Sequence, residues 1–284
     1  MNAEGAIGVF DSGLGGLTVL REIRAQLPGE KLIYFGDNGR TPYGSKSPDT
    51  VLRYTLQDVN FLLTKNVKAI VIACNTASAC ASATLREKYD LPVIEVVEPG
   101  AAAAVKASVS GRIGVIGTAA TINSKVYEKA IYRAAEIAGR TDVRYFGKAC
   151  PLFVPLAEEG WWDSVITRMT AHKYLDELRG SGIDTLVLGC THYPLLAEVI
   201  GEIMGGGVKL INSASVVAQA VKDRLKREGL LNASNSRVNG PEIDFPAETV
   251  QFYTSDSVAK FRELGGKFLK SGIESVEKVD IEAF

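Results

Sequence analysis

AIVIACNT (residues 69–76) and TLVLGCTH (residues 185–192) are near copies of one another: each is an apolar run that ends in a cysteine followed by small polar residues. An unbroken apolar run of this length reads as a strand of a parallel sheet, buried on both faces, and the polar residues after it as the turn into a helix. Cys74 and Cys190 are therefore expected at strand ends beside helix N-termini, the edge where open α/β sheets hold ligands. Backbone N–H groups and the positive end of a helix favour a thiolate, so each thiol is expected below its free value of about 8.5. Two such thiols suit a matched acid and base.

Outward from these runs the chain repeats itself. GAIGVFDSGLG (residues 5–15) is echoed by GRIGVIGTAAT (residues 111–121), and in both a short apolar strand runs into a turn of small residues. A helix at 17–27 and a strand at 31–35 complete a βαβ opening; Ser47-Pro48-Asp49 has the cap, first-turn proline and acid of a helix start. The pattern restarts after Glu98-Pro99, with a helix from about Ser124. Later elements are expected at 163–179 (helix), 183–188 and 208–211 (strands) and 213–228 (a helix opened by Asn212). A polar surface loop over 231–247 is followed by strand, helix and strand at 249–254, 257–269 and 275–279. The fold class is α/β: two pseudo-symmetric open-sheet domains facing across a central cleft. The first domain, with Cys74, is expected over 1–98 plus 208–284, and the second, with Cys190, over 99–207.

Composition narrows the possibilities. The 284 residues are 46% hydrophobic and carry a formal charge of -1, with no basic run to meet a phosphate backbone or an anionic membrane. Nucleic acid is not expected as a primary partner. The opening MNAEGAIGVF lacks a basic segment followed by a long apolar one, and no window approaches the roughly 20 apolar residues of a membrane span, so a cytoplasmic chain is expected. Four cysteines without C-x-x-C spacing read as reduced thiols, and two histidines leave little for a zinc site.

A single free cysteine is usually an inert small hydrophobe, and Cys80 and Cys150 keep that reading. Cys74 and Cys190 depart from it because they occupy equivalent positions in the two halves, with Asn75, Thr76, Thr191 and His192 following as donors for a carboxylate. A thiolate on one face of a carbon and a thiol on the other can remove one proton and return another, inverting the centre. Two alternatives stay open: a hydrolase using Cys190 and His192, and a non-catalytic amino-acid binding module with the same cleft. Asp11 and Ser12 add a carboxylate and a hydroxyl at the end of the first strand, beside a glycine-rich turn. A dinucleotide fingerprint would need glycine where Thr18 stands. Tyr43 and Gly44 follow Pro42 in a turn able to close over a small substrate. Glu158 and His172, taken alone, read as helix-surface residues.

IGVFDSGLGG, PYG, ACNTASA, GVIGTAAT, CPLFVPLAEEG and LGCTHYPLL, in this order, resemble the bacterial glutamate racemases over nearly the whole chain. The resemblance implies cofactor-independent interconversion of L- and D-glutamate with no metal, supplying D-glutamate for peptidoglycan. It also implies Cys74 facing the α-proton of the D-enantiomer and Cys190 that of the L-enantiomer. By the same likeness Asp11, Glu158 and His192 assist the cysteines, while Asp11, Ser12, Tyr43, Gly44, Asn75, Thr76, Thr118, Thr121, Thr191 and His192 hold the substrate. A homodimer is implied as well, and aspartate or another amino acid is the alternative substrate. The chain departs from the family pattern at Asn38-Gly39 and at Asn212, where aspartate is usual; asparagine caps a helix about as well.

Overall fold

In the computed structural model, which describes residues 3–232 and 243–284, parallel strands and helices alternate through two sheets. The first half begins β1 (Ala6–Asp11), α1 (Leu17–Gln26), β2 (Leu32–Gly36), α2 (Pro48–Leu63), β3 (Val67–Ile72), α3 (Asn75–Lys88) and β4 (Val93–Glu95). Then come α4 (Val97–Ala107), β5 (Arg112–Gly117), α5 (Ala119–Asn123), α6 (Val126–Ile137), β6 (Arg144–Ala149), α7 (Phe153–Glu158) and α8 (Val165–Gly180). The chain ends through β7 (Thr185–Gly189), α9 (Ala197–Met204), β8 (Lys209–Asn212), α10 (Ser213–Arg227), β9 (Val250–Thr254), α11 (Val258–Leu269) and β10 (Glu277–Lys278). The expected 231–247 loop lies partly outside the described residues.

The strand orders are β10-β9-β2-β1-β3-β4 and β6-β5-β7-β8. In each sheet the order reverses beside the strand of the glycine-containing echo, between β1 and β3 and between β5 and β7. These reversals open the crevices where such sheets bind ligands, and the two cysteines lie at their carboxyl ends. Period-two alternation divides each strand between two cores. Ile7 and Val9 of β1 and Val115 and Val187 of the second sheet face a core shared by both halves, built around α1, α4 and α10. Phe10, Ile70 and Ile72 face an outer core under α2 and α3, whereas Leu186 and Leu188 face one under α7, α8 and α9. The common core joins the two halves through packing of both sheets.

Several expectations are corrected. β8 pairs with β7, so the strand at 208–211 belongs to the second sheet and not to a first domain resuming at 208. Glu98-Pro99 is no break: it lies in the first turn of α4, where a proline forfeits no intrahelical bond. There Glu95 caps the helix by accepting the N–H groups of Val97 and Glu98. The helix expected from about Ser124 is α6, which begins at Val126 after Lys125 in a left-handed conformation, but the small-residue turn before it holds a further short helix, α5, that was not expected. The strand expected over 275–279 is paired only at Glu277–Lys278. Asn212 caps α10, accepting from Ala214 N–H at 3.0 Å. Among the described residues no helix is long and apolar enough to cross a membrane.

Candidate active site

Cys74 is the N-cap residue of α3, its Sγ accepting the Ala77 N–H at 3.4 Å. Its thiol donates to Ser12 Oγ at 3.6 Å. Cys190 closes β7 but does not head a helix; a 3-10 turn, Tyr193–Leu196, separates it from α9. The expected depression of both thiols is also corrected for Cys74. Burial, reinforced by the nearby Asp11 carboxylate, pushes it up to about 12, outweighing the Ala77 and Ser12 hydrogen bonds.

Cys190 has a different surrounding. His192 Nδ1 lies 3.8 Å from its sulfur, and Nε2 on the far side of the ring lies 3.2 Å from Glu158 Oε1. Burial alone would lower the His192 pKa, but its bonds to Cys190 and Glu158 together raise it to about 10, leaving an imidazolium beside the sulfur. Burial likewise opposes ionisation of Glu158, yet the His192 contact carries its pKa below the ordinary carboxylate value. Glu158 thus reaches the site only through His192.

Both cysteines line one cavity of about 20 Å³, together with Ser12, Tyr43, Gly44, Asn75, Thr76, Thr118, Thr191 and His192. Thr41, Pro42 and Val154 complete it. Asp11, Thr121 and Glu158 stand one residue behind. Asp11 accepts from Gly13 N–H at 3.0 Å and from Thr191 Oγ1 at 3.3 Å, and burial raises its pKa despite the His192 charge. Thr121 reaches Thr118 at 3.0 Å and Thr76 at 3.3 Å, and Thr76 meets Thr118 at 2.9 Å. The Thr76 and Asp11 contacts, with that of Tyr127 to Asn75 at 2.7 Å, join the first half to the second through residues that line the cavity.

Tyr43 contributes its ring and backbone rather than its hydroxyl. The O–H is held by Asp37 and by Asp58, the latter at 2.9 Å. Arg40 pairs with Asp37 at 2.7 Å and Asp58 at 3.0 Å, reaches Glu282 at 3.2 Å, and lies over the Tyr54 ring. Burial and the neighbouring Asp37 raise the Asp58 pKa well above its ordinary value. The Asn38-Gly39 departure is absorbed by the same corner, where Thr254 Oγ1 donates to Asn38 Oδ1 and Gly39 N–H to Ser255 Oγ. This carboxylate pair escaped the sequence reading; the one signal was Asp58 standing on the apolar stripe of α2.

His172 is exposed and bonded to Asp176, Cys150 packs in the outer core of the second sheet, and Cys80 is half-buried in α3. Among the described residues no three His, Cys, Asp or Glu side chains gather as metal ligands.

The sequence pattern of the Asp/Glu/Hydantoin racemase family matches residues 7–221. A glutamate racemase of Geobacter metallireducens is 49% identical over 278 residues, 98% of this chain and 97% of the relative. Among solved structures, a glutamate racemase of Bacillus anthracis superposes with a TM-score of 0.88 at 39% identity, covering 97% of each chain. One from Francisella tularensis, in complex with D-glutamate, gives 0.86 at 36% identity over 99% of this chain and 100% of that one.

Proposed function

The chain belongs to the Asp/Glu/Hydantoin racemase family and its activity is that of a glutamate racemase; from that premise we propose that Cys74 and Cys190 are its two proton-transfer groups. The observation carrying this reading is that both cysteines, from equivalent places in the two halves, line a single cavity. For L-glutamate, the Cys190 thiolate accepts the α-proton while the Cys74 thiol donates its own to the opposite face, leaving D-glutamate, a Cys190 thiol and a Cys74 thiolate. The reverse reaction exchanges the roles, so no proton is gained or lost overall.

The unequal surroundings of the sulfurs fit this division. Cys190 has a cation beside it to stabilise the thiolate. Cys74 meets the carboxylate of Asp11 instead, which together with burial keeps it a protonated thiol, ready as the donor, until positive charge arrives. The substrate ammonium, drawn to Asp11, supplies that charge and lowers the barrier to thiolate formation at Cys74. Ser12, Asn75, Thr76, Thr118 and Thr191, with backbone N–H groups after each cysteine, hold the carboxylates; Thr121 braces Thr76 and Thr118, and Tyr43 and Gly44 cover the pocket. Exclusion of water strengthens each of these contacts as carbanion charge develops.

The product is read as feeding peptidoglycan synthesis in the cytoplasm, and the protein as a homodimer. Exposed Trp161, Val165, Ile166 and Met169 supply an apolar surface for association, which light scattering of the eluted protein measures. The deciding experiment is incubation with D- or L-glutamate, and aspartate in parallel, in heavy water. α-Deuterium incorporation into glutamate is the expected result; without it the two-thiol chemistry is wrong.

A further inference from the structure

Tyr127, on α6, is 1% exposed, and its hydroxyl donates to Oδ1 of Asn75 at 2.7 Å. Asn75 opens α3, lines the cavity and is 2% exposed. The bond therefore runs from the second half of the chain to a cavity residue of the first. A phenol carries one hydrogen, and a buried one must find an acceptor. Burial, with Glu95 and Cys190 nearby, keeps Tyr127 a neutral donor well above the ordinary titration range of tyrosine. Oδ1 is the acceptor it finds, and the opposite side of the amide must then present its NH₂.

That NH₂ is buried and meets no acceptor among the described residues. Leaving such a donor unmatched is unfavourable by about 1–3 kcal/mol, which an incoming oxygen anion would recover. We propose that Tyr127 is a positioning residue: it fixes the Asn75 amide so that Nδ2 offers its hydrogens to a carboxylate of the substrate. Without the tyrosine hydroxyl the amide can turn over and present Oδ1, which repels that carboxylate. The inference rests on the reading of the cavity as the glutamate site.

Tyr127→Phe removes one oxygen and nothing else. KM for both enantiomers should rise about five- to tenfold, with kcat changed less than about twofold, as expected for loss of a contact made equally in ground and transition states. Asn75→Asp keeps an acceptor for Tyr127 but has no amide hydrogen, and its KM should rise at least as far. If Tyr127 acts through Asn75, the pair Tyr127→Phe with Asn75→Ala has the KM of Asn75→Ala alone. Unchanged KM in Tyr127→Phe, or additive effects in the pair, overturns the proposal. The native protein provides a reading that needs no variant: the Asn75 side-chain amide protons should shift downfield on addition of D-glutamate, and static resonances overturn the proposal even if the variant fails to fold. Deuterium exchange by the native enzyme separates the two levels. Exchange with an unmoved KM defeats the role of Tyr127 alone, whereas no exchange defeats the reading beneath it.

Discussion

Gly15, in the turn after β1, and His192, in the turn after β7, meet so closely that a Cβ on the glycine would lie 2.6 Å from the imidazole Nδ1. The same methyl would press on Thr191 Oγ1. Gly15→Ala must therefore move the imidazole that stands beside Cys190. A displacement of about 1 Å at such a group lowers activity on the order of a hundredfold. Steady-state kinetics at matched folded fraction test this, and an unaltered kcat/KM would mean the ring has room to spare.

Removing either sulfur should abolish racemisation without unfolding the protein. General acid–base groups contribute roughly 10²- to 10⁴-fold, so Cys74→Ala and Cys190→Ala should each fall at least that far in both directions. Circular dichroism establishes that the fold is retained. A single variant with full activity would dismiss the paired-thiol assignment.

Glu158→Gln keeps an acceptor for His192 Nε2 but withdraws the negative charge that helps hold the imidazole at about 10. The His192 pKa should fall, so the ring loses its proton at lower pH and the Cys190 thiolate loses its cation there. The alkaline limb of kcat/KM for L-glutamate should move to lower pH, with the acid limb in place. An alkaline limb that stays put shows that Glu158 does not act through His192.

Arg40 is the cation between two buried carboxylates, Asp37 and Asp58. Arg40→Ala strands them together, a change that destabilises by about 3–5 kcal/mol in buried pairs. Adding Asp58→Asn should recover part of the loss, since it removes one stranded charge and leaves Tyr43 an acceptor. Urea unfolding of the single and double variants gives the answer; no recovery would mean that Asp58 is already neutral beside Asp37.

Asp184 pins the loop between α4 and β5, accepting from Ser108 Oγ at 2.6 Å and from the N–H groups of Val109 and Ser110 at 2.8 and 2.6 Å. Burial opposes its ionisation, but these bonds win and lower its pKa to about 2. The folded value lies below the unfolded one of about 3.9, so the stabilisation is complete above that pH and fades as pH falls toward the folded value. The advantage of the native protein over Asp184→Asn in urea should be present near pH 6 and smaller near pH 3. Equal advantages would place the worth of this contact elsewhere than in its charge.

Much of the architecture was legible because parallel strands buried on both faces leave an unambiguous mark: the runs ending at Cys74 and Cys190 located β3 and β7, and the glycine-containing echoes located β1 and β5. β6 was missed because it is an edge strand with half-exposed, mixed residues, and α4 because Pro99 and Gly100 look like a break when their position within the first turn is unknown. Among the candidate site residues, those adjoining the two cysteines were legible as local motifs. The Asp37–Arg40–Asp58 corner and the Tyr127–Asn75 bond were not, since they depend on which helices a distant segment packs against. The thiol of Cys74 was misjudged for the same reason. A helix N-terminus is visible in sequence, whereas burial beside a carboxylate from another strand is not.

A cavity of about 20 Å³ has space for a water molecule or two, and a dicarboxylic amino acid does not fit it. Each turnover therefore requires the crevice to open, admit one molecule and later release its mirror image by the same doorway. Such breathing belongs to the microsecond-to-millisecond range and is slowed by solvent friction. Because entrant and leaver differ only in handedness, that friction bears on both directions of the reaction almost alike, and a viscous cosolvent should depress the two maximal rates in parallel.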